Sequence, residues 1–199
     1  PPSPPPSPPP FPPPPVLDSR SSLLVARNMW CNDRTLANSI YGPIKNWDVS
    51  RITNMSYLFC GLNPSTDDRH DTFFRDCNNN CSSFEDLSWD TSRVIDMTGM
   101  FLSSGFNRQL SFDTSNVKYM YGMFNYANQF NRDVNFNTSK VERMDWMFAN
   151  TNNFNKPVNF DTSNVKQMEY MFNNAINFDQ PLNFDTSNVK QMEYMFNNA

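Results

Sequence analysis

Apolar residues recur along this chain with a long period. From Asn46 onward they fall into columns about 24 residues apart. One column reads Ile52, Val94, Val117, Val141, Val165, Val189. The next reads Met55, Met97, Met120, Met144, Met168, Met192. Leu58 and five methionines follow, then Phe59, Phe101, Phe124, Phe148, Phe172 and Phe196. Phe106, Phe130, Phe154 and Phe178 make a further column, and Leu110, Val134, Val158 and Leu182 another. The segment Asn159–Ala175 returns letter for letter at Asn183–Ala199. Each unit opens on an aromatic: Trp47, Trp89, Phe112, Phe136, Phe160, Phe184. The first gap is 42 residues instead of 24, so about 18 extra residues sit inside the first unit.

Such a period marks a repeat architecture. Each coil carries apolar side chains around its circuit, cannot shelter them alone, and must stack on its neighbours. Like residues would then lie above like, about 4.8 Å apart. The pattern predicts an α/β repeat solenoid: a short parallel strand over each Val-x-x-Met and a one-turn helix over each Met-Phe-x-x-Ala. The Asp-Thr-Ser corner turns the chain, because Asp and Ser side chains accept from backbone N–H groups two or three residues on. The Asn after each core Phe (Asn107, Asn131, Asn155, with Asp179 last) is expected to form a ladder between coils.

Before the array, Asp18 or Ser19 can cap a helix with apolar Leu23, Leu24, Ala26 and Trp30, and Asp33 can cap a second helix that stops at Gly42-Pro43. The pair would form a helical N-terminal cap over residues 18–45, on a solenoid of about six coils over 46–199 with an insertion at 62–80. No cap is expected at the other end. Met195 and Phe196 stand at its edge, to be covered by more chain or by another molecule.

Composition sharpens this in four ways. Twelve of the first fifteen residues are Pro, so residues 1–17 read as a polyproline II arm at about 3.1 Å per residue. Net charge is −4 with no basic run, which argues against nucleic acid as a partner. No apolar stretch approaches the length of a membrane span. The four cysteines, Cys31, Cys60, Cys77 and Cys81, lack metal-ligand spacing and read as two disulfides, hence an oxidising compartment. Cys60 and Cys81 bracket the insertion, which favours Cys60–Cys81 with Cys31–Cys77, although four cysteines allow three pairings.

Candidate sites are few. Asn54, Asn80 and Asn137 open sequons, Asn80 being favoured over Asn54. The column Tyr57, Trp146, Tyr170, Tyr194 offers aromatic rings to sugars or protein partners, or else packs on neighbouring coils. His70 stands among Asp67, Asp68 and Asp71, which reads as a solvated loop rather than a metal site. Turn capping accounts for the acidic column Asp90, Asp113, Asp161, Asp185 without calcium, so no cofactor is expected, calcium being the alternative. Glu169 and Glu193 are the same position in adjacent coils, a solvated column rather than a glycosidase pair. No nucleophile–base pair emerges, so no enzyme is expected.

The repeat Trp/Phe-Asp-Thr-Ser-x-Val-x-x-Met-x-x-Met-Phe, with SSLLVARNMWCNDRTLANSIYGPIKNWDVSRITNMSYLF before it, resembles BspA-like leucine-rich-repeat surface proteins. That resemblance implies a right-handed leucine-rich-repeat-like solenoid on the cell surface or outside the cell, used in adhesion, with no catalytic residues to carry over. The arm PPSPPPSPPPFPPPP resembles hydroxyproline-rich glycoproteins of walls and flagellar hairs. It implies hydroxylation or O-glycosylation at Pro4, Pro5, Pro6, Pro8, Pro9, Pro10, Ser3 and Ser7. The expectation is a structural subunit of an extracellular fibril, flagellar hair or wall layer that self-associates head to tail. The alternative is a surface adhesin binding glycan or protein through the solenoid face.

Overall fold

A computed structural model describes residues 14–61, 76–78 and 80–199. The arm to residue 13, with its Pro and Ser modification candidates, lies outside these residues, as do His70 and its three aspartates.

The chain enters through two helices, α1 (Arg20–Asn32) and α2 (Arg34–Tyr41). Ser19, rather than Asp18, caps α1. Its hydroxyl oxygen accepts the Ser22 N–H, while Ser22 Oγ accepts the Ser19 N–H. Asp33 closes α1 and caps α2, accepting the Leu36 N–H at 3.0 Å. Gly42, at φ +72, stops α2. Leu23, Ala26 and Trp30 of α1 are buried. The Trp30 ring meets Phe59 edge-on at 6.2 Å and Phe84 at 5.9 Å, so the helices cover the apolar edge of the first coil.

The expected α/β repeat solenoid of parallel strands and one-turn helices is overturned in the repeat region. Among the described residues the two α-helices both precede the repeats, and no strand forms. Pairing between coils is reduced to isolated parallel bridges such as Asp96↔Tyr119, Tyr119↔Arg143, Arg143↔Gln167 and Gln167↔Gln191. The Met-Phe segments are turns.

The reason lies in how the backbone divides its donors. In coil two the N–H groups of Met97, Gly99, Phe101 and Ser103 reach carbonyls of the next coil. Those of Met100, Leu102 and Ser104 reach carbonyls three residues back in their own coil. Alternate residues therefore serve the neighbour and the local turn, and neither ladder runs far enough to make a strand or a helix. Left-handed positions enforce this, two per coil from coil two onward. One column holds Tyr57, Gly99, Gly122, Trp146, Tyr170 and Tyr194, all at φ of 55 to 59. The other holds Ser103, Tyr126, Asn150, Asn174 and Asn198. A positive φ interrupts both helix and strand geometry.

What forms is a stack of turn-built coils. The Val94, Val117, Val141 and Val165 column is wholly buried, and so are the Met and Phe columns beside it from coil two to coil five. Phe101, Phe124, Phe148 and Phe172 stack face to face at 5.6–5.7 Å. Each also stacks on a second Phe of its own coil, as Phe148 does on Phe154 at 4.2 Å. Burying each such ring is worth about 2–3 kcal/mol.

Gly99 tests the packing. A Cβ there would lie 2.5 Å from Cε1 of the Tyr57 ring, whereas at Gly122 the nearest atom is 3.7 Å away. Gly122→Ala should cost about 1 kcal/mol, for the left-handed backbone alone. Gly99→Ala should cost about 2–3 kcal/mol, because the ring must also move. Urea denaturation of the two variants measures the difference.

Candidate binding surface

The corner of each coil shows how the repeat letters work. In coil three, Asp113 Oδ1 accepts the Ser115 N–H at 2.9 Å and turns the chain. Thr114 Oγ1 donates to Asn137 O in the next coil at 3.0 Å. Asn116 Nδ2 donates back to Ser92 O in the previous coil at 2.8 Å. Three successive polar side chains thus serve their own coil, the next and the last. The Asp part of this was readable in the sequence; the Thr and Asn parts were missed, although their 24-residue recurrence was the available signal. The expected Asn ladder forms as well: the Asn131, Asn155 and Asp179 N–H groups donate to the side-chain oxygens of Asn107, Asn131 and Asn155.

The acidic column is exposed. Hydrogen bonds from the Ser hydroxyl and then the Ser N–H hold Asp90, Asp113, Asp161 and Asp185 below the usual carboxylate range. Their contribution is present above the unfolded pKa and is lost as pH falls through the lowered folded value. Glu169 shifts the other way, upward, first through desolvation and then through Glu193 and Asp145. Among the described residues no group of three metal-ligating side chains converges.

The aromatic column is not one binding face. Tyr57 is buried against Gly99 and offers no ring to a ligand. Trp146 and Tyr170 stack at 4.2 Å, and Tyr170 and Tyr194 at 5.0 Å. Tyr170 lies between its two neighbours with both faces taken, and Trp146 and Tyr194 each give one face to it. Two glycines had interrupted the column in the sequence; the first makes room for the Tyr57 ring. Elsewhere, an open depression of about 270 Å³ is lined by Lys118, Ser139, Lys140, Glu142, Asn164 and Lys166.

The cysteines pair as Cys31–Cys81 and Cys60–Cys77, not as Cys60–Cys81 and Cys31–Cys77. The described end of the insertion, residues 76–78 and 80, explains the correction, because it meets α1. Asp76 meets Arg20, Asn78 meets Asn28 and Asn80 meets Asn32. Cys77 therefore lies at the coil, by Cys60, and Cys81 arrives at the far end of α1, by Cys31. Burial pushes the Arg27 guanidinium down to about 10 despite the attraction of Asp76.

The three sequons differ. Asn54 is half-buried, with its amide between the Ser56 N–H and Asp96. Asn80 is exposed, but its Nδ2 donates to Asn32, and the following Cys81 is tied to α1. Asn137 is exposed on the acidic column, where its oxygen caps Ser139. Secreted from a glycosylating host, the protein should carry no glycan at Asn54, whose amide is held between the Ser56 N–H and Asp96. Peptide mass spectra before and after enzymatic deglycosylation read this directly.

Three stretches, residues 26–68, 68–159 and 134–199, match the family described as Mycoplasma protein of unknown function, DUF285. The chain belongs to this family. The DUF285 matches cover the helical entry and the coils, are consistent with the BspA-like resemblance, and begin beyond the Pro-rich arm. Membership suggests a surface-associated repeat protein. Neither a curated protein nor a solved structure matches the chain. Among the described residues no helix is long and apolar enough to cross a membrane.

Proposed function

We propose that the protein is a non-enzymatic structural subunit of an extracellular assembly, such as a fibril, flagellar hair or wall layer. One observation carries the reading: the corner Thr and Asn side chains that recur about every 24 residues are spent on neighbouring coils. The surface they leave repeats with the coils and suits a rod better than a ligand pocket. Two disulfides with no free cysteine among the described residues fit an oxidising compartment. The Pro-rich arm fits a wall-type glycoprotein and supplies a segment through which copies could meet.

Negative-stain electron microscopy of the secreted protein tests the reading. Regular polymers or bundles are expected. Isolated particles that retain a glycan through the Tyr170 and Tyr194 edge would support the adhesin reading instead.

A further inference from the structure

One corner of the stack carries two parallel stripes of opposite charge. The acidic stripe is Asp48, Asp90, Asp113, Asp161 and Asp185, one per coil, with Asn137 in the fourth place. The basic stripe lies three or five residues further on in each coil: Arg51, Arg93, Lys118, Lys140, Lys166 and Lys190. All these side chains are exposed. Between those two basic places lies Ile52 in coil one and a Val in later coils, buried from coil one to coil five, so the residues on either side of it face out; Lys140 also acts on the Asp113 carboxylate, which puts the two stripes on one face. The depression lined by Lys118, Lys140 and Lys166 belongs to the same face.

The stripes are incompletely matched within the molecule. Lys166 pairs with Glu142 at 2.5 Å, and Lys140 donates to Asn116 at 2.6 Å. The acidic side chains instead spend their hydrogen bonds on their own Ser N–H groups. Along the stripe, Asp48 and Asp113 repel the Asp90 carboxylate between them.

We infer that this face pairs side by side with the same face of a second copy, the two stacks pointing the same way. Symmetry fixes the direction. A two-fold axis parallel to the stack lays each acidic stripe on the partner's basic stripe, at every coil but the fourth. A two-fold axis across the stack would lay acid on acid and base on base. The pairing is self-complementary in one orientation only. It rests on the structural-subunit reading and adds how neighbouring subunits would lie.

An interface of exposed ion pairs is weak singly and sensitive to salt. Sedimentation equilibrium of the full chain should show a dimer at about 20 mM salt and a monomer at roughly 500 mM. The triple variant Lys118→Glu, Lys166→Glu, Lys190→Glu should stay monomeric at both, with an unchanged circular dichroism spectrum. Asp113→Asn, Asp161→Asn, Asp185→Asn should weaken pairing while keeping the corner, as Asn137 keeps it in coil four.

Direction is read by cross-linking. Ser92 and Ser187 lie between the stripes, so Ser92→Cys and Ser187→Cys should each cross-link to its own kind under oxidation. A mass that ignores salt and the lysine changes would overturn the inference, and so would cross-links formed only between the two variants. Polymers that persist in the triple-Glu variant would sink the stripe pairing and leave the structural reading intact.

Discussion

Phe148→Ala should cost about 3–5 kcal/mol of stability and lower the melting midpoint by roughly 10 °C. Phe148 is wholly buried in the fourth coil. Its ring contacts Phe124 at 5.7 Å, Phe172 at 5.6 Å and Phe154 at 4.2 Å. Truncation removes the ring that joins the coils on either side and leaves a hole between layers that the backbone bonds hold apart. In a stack each coil depends on its immediate neighbours, so the loss is not shared evenly. Hydrogen exchange should quicken at the Phe124 and Phe172 amides before those nearer α1. Phe196→Ala is the control. That ring is 50% exposed and rests on Phe172 from one side, so its loss should cost about 1 kcal/mol. Equal costs at the two positions would contradict the stacked core.

Removing the Cys31–Cys81 bridge by a double Ser substitution should cost about 4 kcal/mol, since a 50-residue separation is released in the unfolded chain. The Cys60–Cys77 bridge spans 17 residues and should be worth about 3 kcal/mol on the same reasoning. Position separates the two further. The longer bridge fastens the C-terminal end of α1, while the Arg20–Asp76 ion pair holds its first turn. Without it α1 should exchange its amide protons well before the later coils do. Guanidinium denaturation gives the cost, and peptide-level exchange gives the place. Peptide mapping without reduction checks the pairing; a Cys60–Cys81 peptide would contradict it.

The period, the core columns and the Asn ladder were legible because identical letters at a fixed spacing can only be satisfied by stacking. The local conformation was not. Val-x-x-Met and Met-Phe-x-x-Ala carry the composition of a strand and a helix, yet their backbone donors alternate between two destinations. That alternation depends on left-handed positions occupied by Tyr57, Trp146 and Tyr170, residue types that do not announce such a backbone. The same positions stack the rings of the supposed binding face, so a column that reads as exposed aromatics is half wall. The disulfide pairing was hidden for another reason. It is fixed by the path of residues 76–83 along α1, a tertiary contact invisible to spacing.

The direction of the inter-coil bonds has one more consequence. Between the third and fourth coils, the N–H groups of Met120, Gly122, Phe124 and Tyr126 all point forward, and only that of Glu142 points back. Each peptide unit carries a dipole of about 3.5 D, and at every junction four N–H groups point forward against one or two that point back. The array therefore has an electrical sense, as a helix does, with carbonyl oxygens turned toward the entry end. Arg20 sets its guanidinium on one of them, Ser56 O, at 2.8 Å. Arg27 and Arg34 sit on the nearby carbonyls of Asp76 and Ser83. Arg20 thus sets a cation at the end toward which the inter-coil carbonyls point, and the helix that covers the first coil also answers the field of the array.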